Sequence, residues 1–204
     1  MAVACPVDLD TARLRAEIQS IYSRVASAPD GEFHFHRGLD YAVDFLRYDR
    51  AALAALPPLA VESFAGVGNP LRMETITAGS TVVDIGCGAG TDLLLAAKAA
   101  GPGGRAIGID MTQSMLRKAE AAAAAAGLTN VELRQGDALE LPVESGSVGF
   151  VISNGVLNLA PDKRRAFSEV FRVLRPAGRF LYADIVVRSE LPESIRSDID
   201  LWSG

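Results

Sequence analysis

The sequence predicts an α/β fold, with a parallel sheet covered by helices on both faces and a helical extension at the N-terminus. Three observations predict it. From Thr81 onward, short apolar runs alternate with segments of helical periodicity. The runs are apolar along nearly their whole length, as strands covered on both faces require. A glycine-rich turn, Asp84-Ile85-Gly86-Cys87-Gly88-Ala89-Gly90, leads from the first run directly into a helix.

The elements follow in order. Thr11 to Ala26 places Leu14, Ile18, Ile21 and Val25 at helical spacing, with Asp10 or Thr11 as its N-cap. Pro29-Asp30-Gly31 is a turn. Leu39 to Leu46 is a second helix, and Arg50 to Leu56 a third that Pro57-Pro58 stops. Ser63 to Pro70, SFAGVGNP, is a glycine-rich loop. Strands are predicted at Thr81 to Ile85, Arg105 to Ile109, Val131 to Gln135, Val148 to Ser153 and Gly178 to Val187. Helices are predicted at Asp92 to Ala100, closed by Gly101-Pro102-Gly103, at Gln113 to Ala126, and at Arg164 to Leu174. Gly127 is the C-cap signal of the second of these. Its six consecutive alanines are explained by helix propensity alone. The expected organisation is a helical cap over residues 1–62 and a cofactor-binding domain over residues 63–204.

Composition narrows the function. A chain of 204 residues buries roughly 70% of its unfolded surface and needs no disulfide or metal to fold. Lys plus Arg is 20 against 25 for Asp plus Glu, and no basic stripe is present, which argues against a nucleic-acid partner. The densest basic run, Lys163-Arg164-Arg165, is flanked by Asp162 and Glu169 and reads as a solvated helix face. The two cysteines, Cys5 and Cys87, do not suggest an oxidising compartment. The N-terminus lacks a basic and then apolar leader, and no run of about 18 apolar residues occurs, so the expected location is the cytoplasm, with no membrane partner.

The glycine-rich turn carries the chemistry. Gly86, Gly88 and Gly90 let the chain turn tightly and let a ligand approach the backbone at a helix N-terminus. Asp110 ends the second strand 20 residues after Gly90, a spacing that suits a carboxylate bonded to a ribose diol. The glycine spacing departs from the dinucleotide fingerprint, and Asp84 stands at the strand end. A pyrophosphate is repelled by that carboxylate, whereas an ammonium is attracted. The loop therefore favours S-adenosylmethionine, which carries an ammonium, a sulfonium and a ribose, over NAD. Gly136-Asp137-Ala138 follows the third strand, where an acidic side chain accepts from an adenine amine or serves only as a helix cap.

These residues, with the strand FVISN and the run RVLRPAGRF, resemble the class I S-adenosylmethionine-dependent methyltransferases over roughly Thr75 to Val187. The resemblance implies a Rossmann-like sheet of order 3-2-1-4-5 followed by a reversed two-stranded hairpin. Only 17 residues follow Val187, too few for that hairpin, which is therefore expected to be missing. A helical segment or a partner, such as a second copy in a homodimer, is expected to cover the fifth-strand edge. The resemblance further implies that Asp84, Gly86, Cys87, Gly88 and Gly90 surround the methionine part of the cofactor. Asp110 binds the ribose, Met111 packs on the adenine, and Asp137 with Ala138 meets its amine edge. Ser153-Asn154-Gly155 line the site near the methyl group.

A narrower resemblance is to the arsenite methyltransferases. It rests on GVGNP, on Gly108 to Thr112, on SNGVLNLAPDK, and on Leu191-Pro192 with Asp200-Leu201-Trp202. That subfamily holds arsenic with cysteine thiolates. Two of those positions are matched here by Val67 and Gly155, and a third would follow Trp202, where the chain stops at Gly204. A three-thiolate arsenic site is therefore not expected.

The expected function is in-line methyl transfer to a small-molecule acceptor. The alternative is a non-catalytic methyltransferase-like module that binds the cofactor or a partner. An NAD-dependent oxidoreductase is disfavoured by the glycine spacing and Asp84. No catalytic residue is fixed by the sequence. Asn154 is a candidate for orienting the acceptor, and Asp184 either faces the site or is a strand-end carboxylate. His34 and His36 share one side of an extended segment. They read as a polar face opposite Phe33 and Phe35 rather than as metal ligands, because no third ligand is near in sequence. Tyr22 and Tyr41 either cap the pocket or pack in the core.

Overall fold

The computed structural model describes residues 10–186. Four helices come first: α1 (Thr11–Ser27), α2 (Gly38–Asp44), α3 (Arg50–Ala54) and α4 (Pro58–Val61). The alternating part follows as β1 (Thr81–Ile85), α5 (Thr91–Ala100), β2 (Arg105–Asp110), α6 (Gln113–Ala125), β3 (Val131–Gln135), β4 (Val148–Asn154), α7 (Lys163–Val173) and β5 (Leu174–Ala183). All strand pairs are parallel and the order is β3-β2-β1-β4-β5. The chain moves outward from β1 in one direction and returns to its other side with β4. That reversal opens a crevice at the carboxyl ends of β1 and β4.

Strand alternation divides the core. Val83, Ile85, Ile107, Ile109 and Val151 face α7 through Val170 and Val173. Val82, Phe150 and Ile152 face the opposite way, onto Ala96 and Ala100 of α5. The N-terminal helices then cover the outer side of α5 and α6, where Leu53, Leu56 and Val61 share a core with Leu94, Ala122 and Ala123. Asp10 caps α1 by accepting from the amides of Ala12 and Arg13 at 3.0 Å. Leu14, Ile18 and Val25 form its buried face.

Two boundaries differ from the expectation for physical reasons. The third helix ends at Ala54, ahead of Pro57-Pro58, and Pro58 then occupies the first turn of a further helix, α4, where a missing N–H costs nothing. The fifth strand begins directly after α7 at Leu174 and bulges before regular pairing resumes at Arg179 opposite Phe150. Ala177 takes a φ of 62° inside that bulge. The strand ends at Ala183, and among the described residues it pairs only with β4. Cys5, the end of the predicted strand at Val187, and the Leu191 to Trp202 resemblance lie outside the described residues.

Candidate functional site: a cofactor cleft

Beyond Ile85 the chain turns back over the end of β2, and the amides of Gly86 and Cys87 both donate to the carbonyl of Ile109, at 2.7 and 3.1 Å. Gly86 has a φ of 69°, and a Cβ there would lie 2.3 Å from Val156 Cγ2. Gly88 has a φ of 52°, and a Cβ there would meet none of the described residues within 4 Å. Both glycines take the left-handed backbone that other residues disfavour, and at Gly86 packing on Val156 excludes a side chain as well. The cleft holds about 1130 Å³, including solvent at its mouth.

Three carboxylates lie along the cleft's inner side: Asp84, Asp92 and Asp110. Asp110 is held in place, its Oδ2 accepting from Gly88 N at 2.9 Å and its Oδ1 from Thr112 N at 2.7 Å. Burial pushes its carboxyl above the ordinary range, against the pull of those amides. Asp84 is 3% exposed, and its Oδ2 has no hydrogen-bond partner among the described residues. Burial, reinforced by the charges of Asp92 and Asp110, drives its carboxyl well upward. A buried carboxylate oxygen without a donor is costly. A donor on a ligand in the cleft would satisfy it.

Asp92, in the first turn of α5, belongs to a network that the sequence did not reveal. Its Oδ1 accepts from Tyr48 Oη at 2.6 Å and its Oδ2 from Asn154 Nδ2 at 2.9 Å. Burial raises the Asp92 carboxyl, opposed by these two donors. Burial and then the Asp92 charge raise the Tyr48 hydroxyl well above its usual value. Asn154 Oδ1 accepts from the amides of Val67 at 2.8 Å and Gly68 at 3.1 Å. Asn154 thus ties the end of β4 to the Gly66–Gly68 loop and to α5, and its amide is fully engaged within the protein. A Cβ on Gly66 would lie 2.3 Å from Asn154 Nδ2, so the loop's close seating depends on that glycine.

At the other end, Gly136, Asp137 and Ala138 line the cleft. Asp137 Oδ1 accepts from Leu139 N at 2.8 Å, and Oδ2 pairs with Arg15 of α1 at 2.7 Å. Met111, Tyr22 and Leu159 pack against the Leu14 and Ile18 cluster of α1. The Met111 carbonyl accepts from Gln19 Nε2 at 3.1 Å and Gln135 Nε2 at 3.3 Å. Tyr22 lines the cleft, and burial with the nearby Asp110 charge pushes its hydroxyl up to about 12. Cys87 also lines the cleft, its thiol driven well upward by burial and by Asp110 and Asp84. Asp84, Gly86, Cys87, Gly88, Asp110, Met111, Asp137, Ala138 and Asn154 therefore surround one space. Gly90 stands behind it as the α5 N-cap, its Cα side close to Ala119.

Other expectations fall elsewhere. Asp184 lies outside the cleft lining and accepts from the amides of Asn158 at 3.0 Å and Ile185 at 2.8 Å, so it anchors the segment after β4. His34 and His36 are exposed while Phe33 and Phe35 pack against the Val25, Ala89 and Met115 cluster. His36 lies against the rings of Tyr41 and Phe45, away from the cleft. Among the described residues no group of three or more His, Cys, Asp or Glu side chains is placed to hold a metal ion. Nor is any helix among them long and apolar enough to cross a membrane. Val67 and Gly155 are neighbours, since a Cβ on Gly155 would lie 3.1 Å from Val67 Cγ1.

A parallel sheet of this order, with a glycine loop after β1 and an acidic residue ending β2, defines the class I methyltransferase fold, whose cofactor is S-adenosylmethionine. Residues 76–203 match the family described as "Methyltransferase domain", and the chain belongs to that family. It is 45% identical over 139 residues to an arsenite methyltransferase of Halobacterium salinarum, covering 68% of this chain and 36% of that protein. It is 37% identical over 108 residues to a demethylmenaquinone methyltransferase of Lactococcus lactis, covering 53% of this chain and 42% of that protein. A solved arsenic(III) S-adenosylmethionine methyltransferase from Chlamydomonas reinhardtii superposes with a TM-score of 0.68 at 40% identity, over 72% of this chain and 52% of that one. The chain thus spans 36% and 42% of the two curated relatives' lengths.

Proposed function

We propose that this chain is the cofactor-binding and methyl-transferring part of a methyltransferase that acts on a small-molecule acceptor. The single observation that carries the reading is Asp84 Oδ2, buried and without a donor beside the glycine loop. It fits the ammonium of S-adenosylmethionine and is unsuited to a pyrophosphate. When bound, the cofactor supplies a methyl group on an electron-poor sulfonium. The chain's own residues bind, orient and exclude water. Asp110, already fixed by two amides, keeps acceptor capacity for a ribose diol. Asp137 offers the same to an adenine amine, and Met111 and Ala138 supply apolar contact.

The acceptor end is formed by Phe64, Ala65, Gly66, Gly155, Val156 and Leu159. These are apolar or small, so this end keeps water from the reacting atoms. A base is needed only where the acceptor's nucleophile carries a proton. Asp92 is our candidate for that role, its carboxyl raised by burial and its orientation set by Tyr48 and Asn154. The two curated relatives are named for chemically different acceptors, a metalloid and a quinone precursor. The matched region therefore fits several acceptors. Val67 and Gly155 carry no thiol, which favours an acceptor other than a thiolate-held metalloid.

Calorimetric titration tests the reading. S-adenosylhomocysteine and S-adenosylmethionine are expected to bind, NAD is not, and Asp110→Ala is expected to abolish binding. Preferential binding of NAD would overturn the proposal.

A further inference from the structure

The adenine end of the cleft is closed by a side chain that the sheet does not supply. Leu14, Arg15, Ile18 and Tyr22 of α1 all line the cleft. Leu14 and Ile18 sit against Met111 and Leu159, which belong to opposite rims, one after β2 and the other after β4. The C-terminal half of α1 is fastened to the body of the protein. Lys118 Nζ donates to Ala26 O at 3.2 Å, and Ser63 Oγ donates to Val25 O at 3.3 Å. Toward its N-terminus the polar ties of α1 to the rest of the protein are Gln19 to the Met111 carbonyl and Arg15 to Asp137, among the described residues. The helix thus crosses the cleft as a bar fixed at one end and latched at the other.

We infer that Arg15 is a cofactor-retaining residue, whose ion pair with Asp137 holds α1 across the adenine end and slows release of the bound nucleoside. The inference rests on the cofactor reading above. Asp137 can serve both partners. Each of its oxygens has one donor now, and a carboxylate accepts about four hydrogen bonds. Leu14, Arg15, Ile18 and Tyr22 all stand in the wall of the space, so the pair closes the site from the α1 side. The Arg15 guanidinium pairs with Asp137, so it acts through Asp137 and α1.

The test follows release of radiolabelled S-adenosylhomocysteine during a chase with unlabelled ligand, with affinity from calorimetry. Arg15→Ala is expected to speed release about fivefold, the effect of a partly exposed ion pair. Arg15→Lys recovers part of the loss. Raising the ionic strength speeds release from the wild type and leaves Arg15→Ala unmoved. In an Asp137→Asn background the Arg15→Ala effect disappears. Arg15→Gln keeps helix propensity and controls for unfolding of α1. Unchanged release in both Arg15→Ala and Arg15→Gln overturns the inference, as does tighter binding, which would make Arg15 a competitor for the site. If the wild type binds no S-adenosylhomocysteine, the cofactor reading fails and the inference falls with it. If the wild type binds and release is unchanged, only the inference fails.

Discussion

The two walls of the cleft are built from different materials. The sheet wall consists of backbone amides and buried carboxylates, with Gly88 N on Asp110 and an undonated Asp84 oxygen behind it. The helix wall is one amphipathic segment, α1, with Leu14 and Ile18 inward and Arg15 at the rim. The sheet wall is preorganised and carries an unpartnered carboxyl oxygen, so it is suited to selecting a ligand. The helix wall is held by apolar contacts, a few hydrogen bonds and an ion pair, so it is suited to retaining one. Selection costs stability locally, while retention depends on packing that single substitutions can loosen.

The largest effect is expected on the sheet wall. Gly86→Ala forces a left-handed backbone onto a residue with a Cβ and drives that atom into Val156. Together these cost about 3 kcal/mol, read as a lower midpoint in denaturant, and cofactor binding is lost as well. On the helix wall, Leu14→Ala empties a fully buried site and costs about 2 kcal/mol. Amide exchange should quicken in α1 while the strands stay protected. If the strands quicken equally, the two walls are one cooperative unit and the contrast fails.

Tyr48→Phe removes a donor from buried Asp92 and is expected to cost about 1 kcal/mol. Cofactor affinity should change less than acceptor turnover, because the network leads to the Gly66–Gly68 loop. The smallest expected effect is on pH dependence. Asp84, Asp92 and Asp110 have carboxyls raised by burial. A carboxyl whose folded pKa exceeds its unfolded value takes up a proton on folding, so these three lower ligand-free stability as pH rises through the interval. Acidification through that interval should therefore raise ligand-free thermal stability slightly while weakening S-adenosylhomocysteine binding. Parallel melting and binding curves against pH check it.

The sheet wall was the more legible of the two. β1 and β3 begin and end where alternation and turn residues place them. The glycines, Asp84 and Asp110 form a local pattern, since the turn and the strand ends are close in sequence. The network around Asp92 leaves no such trace. Tyr48 lies 44 residues from Asp92, and Asn154 lies 62 residues from it on the other side. An aspartate in the first turn of a helix is already explained by the helix dipole, which hides a second role. Asn154 was visible as a site residue, but its engagement with Val67, Gly68 and Asp92 depends on tertiary contacts. The Arg15 pair with Asp137 was hidden for the same reason, and α1 looked like an ordinary amphipathic helix.

The central claim is that Asp84 recognises an ammonium. It is tested by titrating wild type and Asp84→Asn with S-adenosylhomocysteine and with 5′-methylthioadenosine, which keeps the nucleoside and thioether but lacks the amino-acid end. The account predicts that wild type prefers S-adenosylhomocysteine by at least about tenfold, and that Asp84→Asn binds both ligands alike with methylthioadenosine affinity unchanged. A preference that survives Asp84→Asn would contradict it.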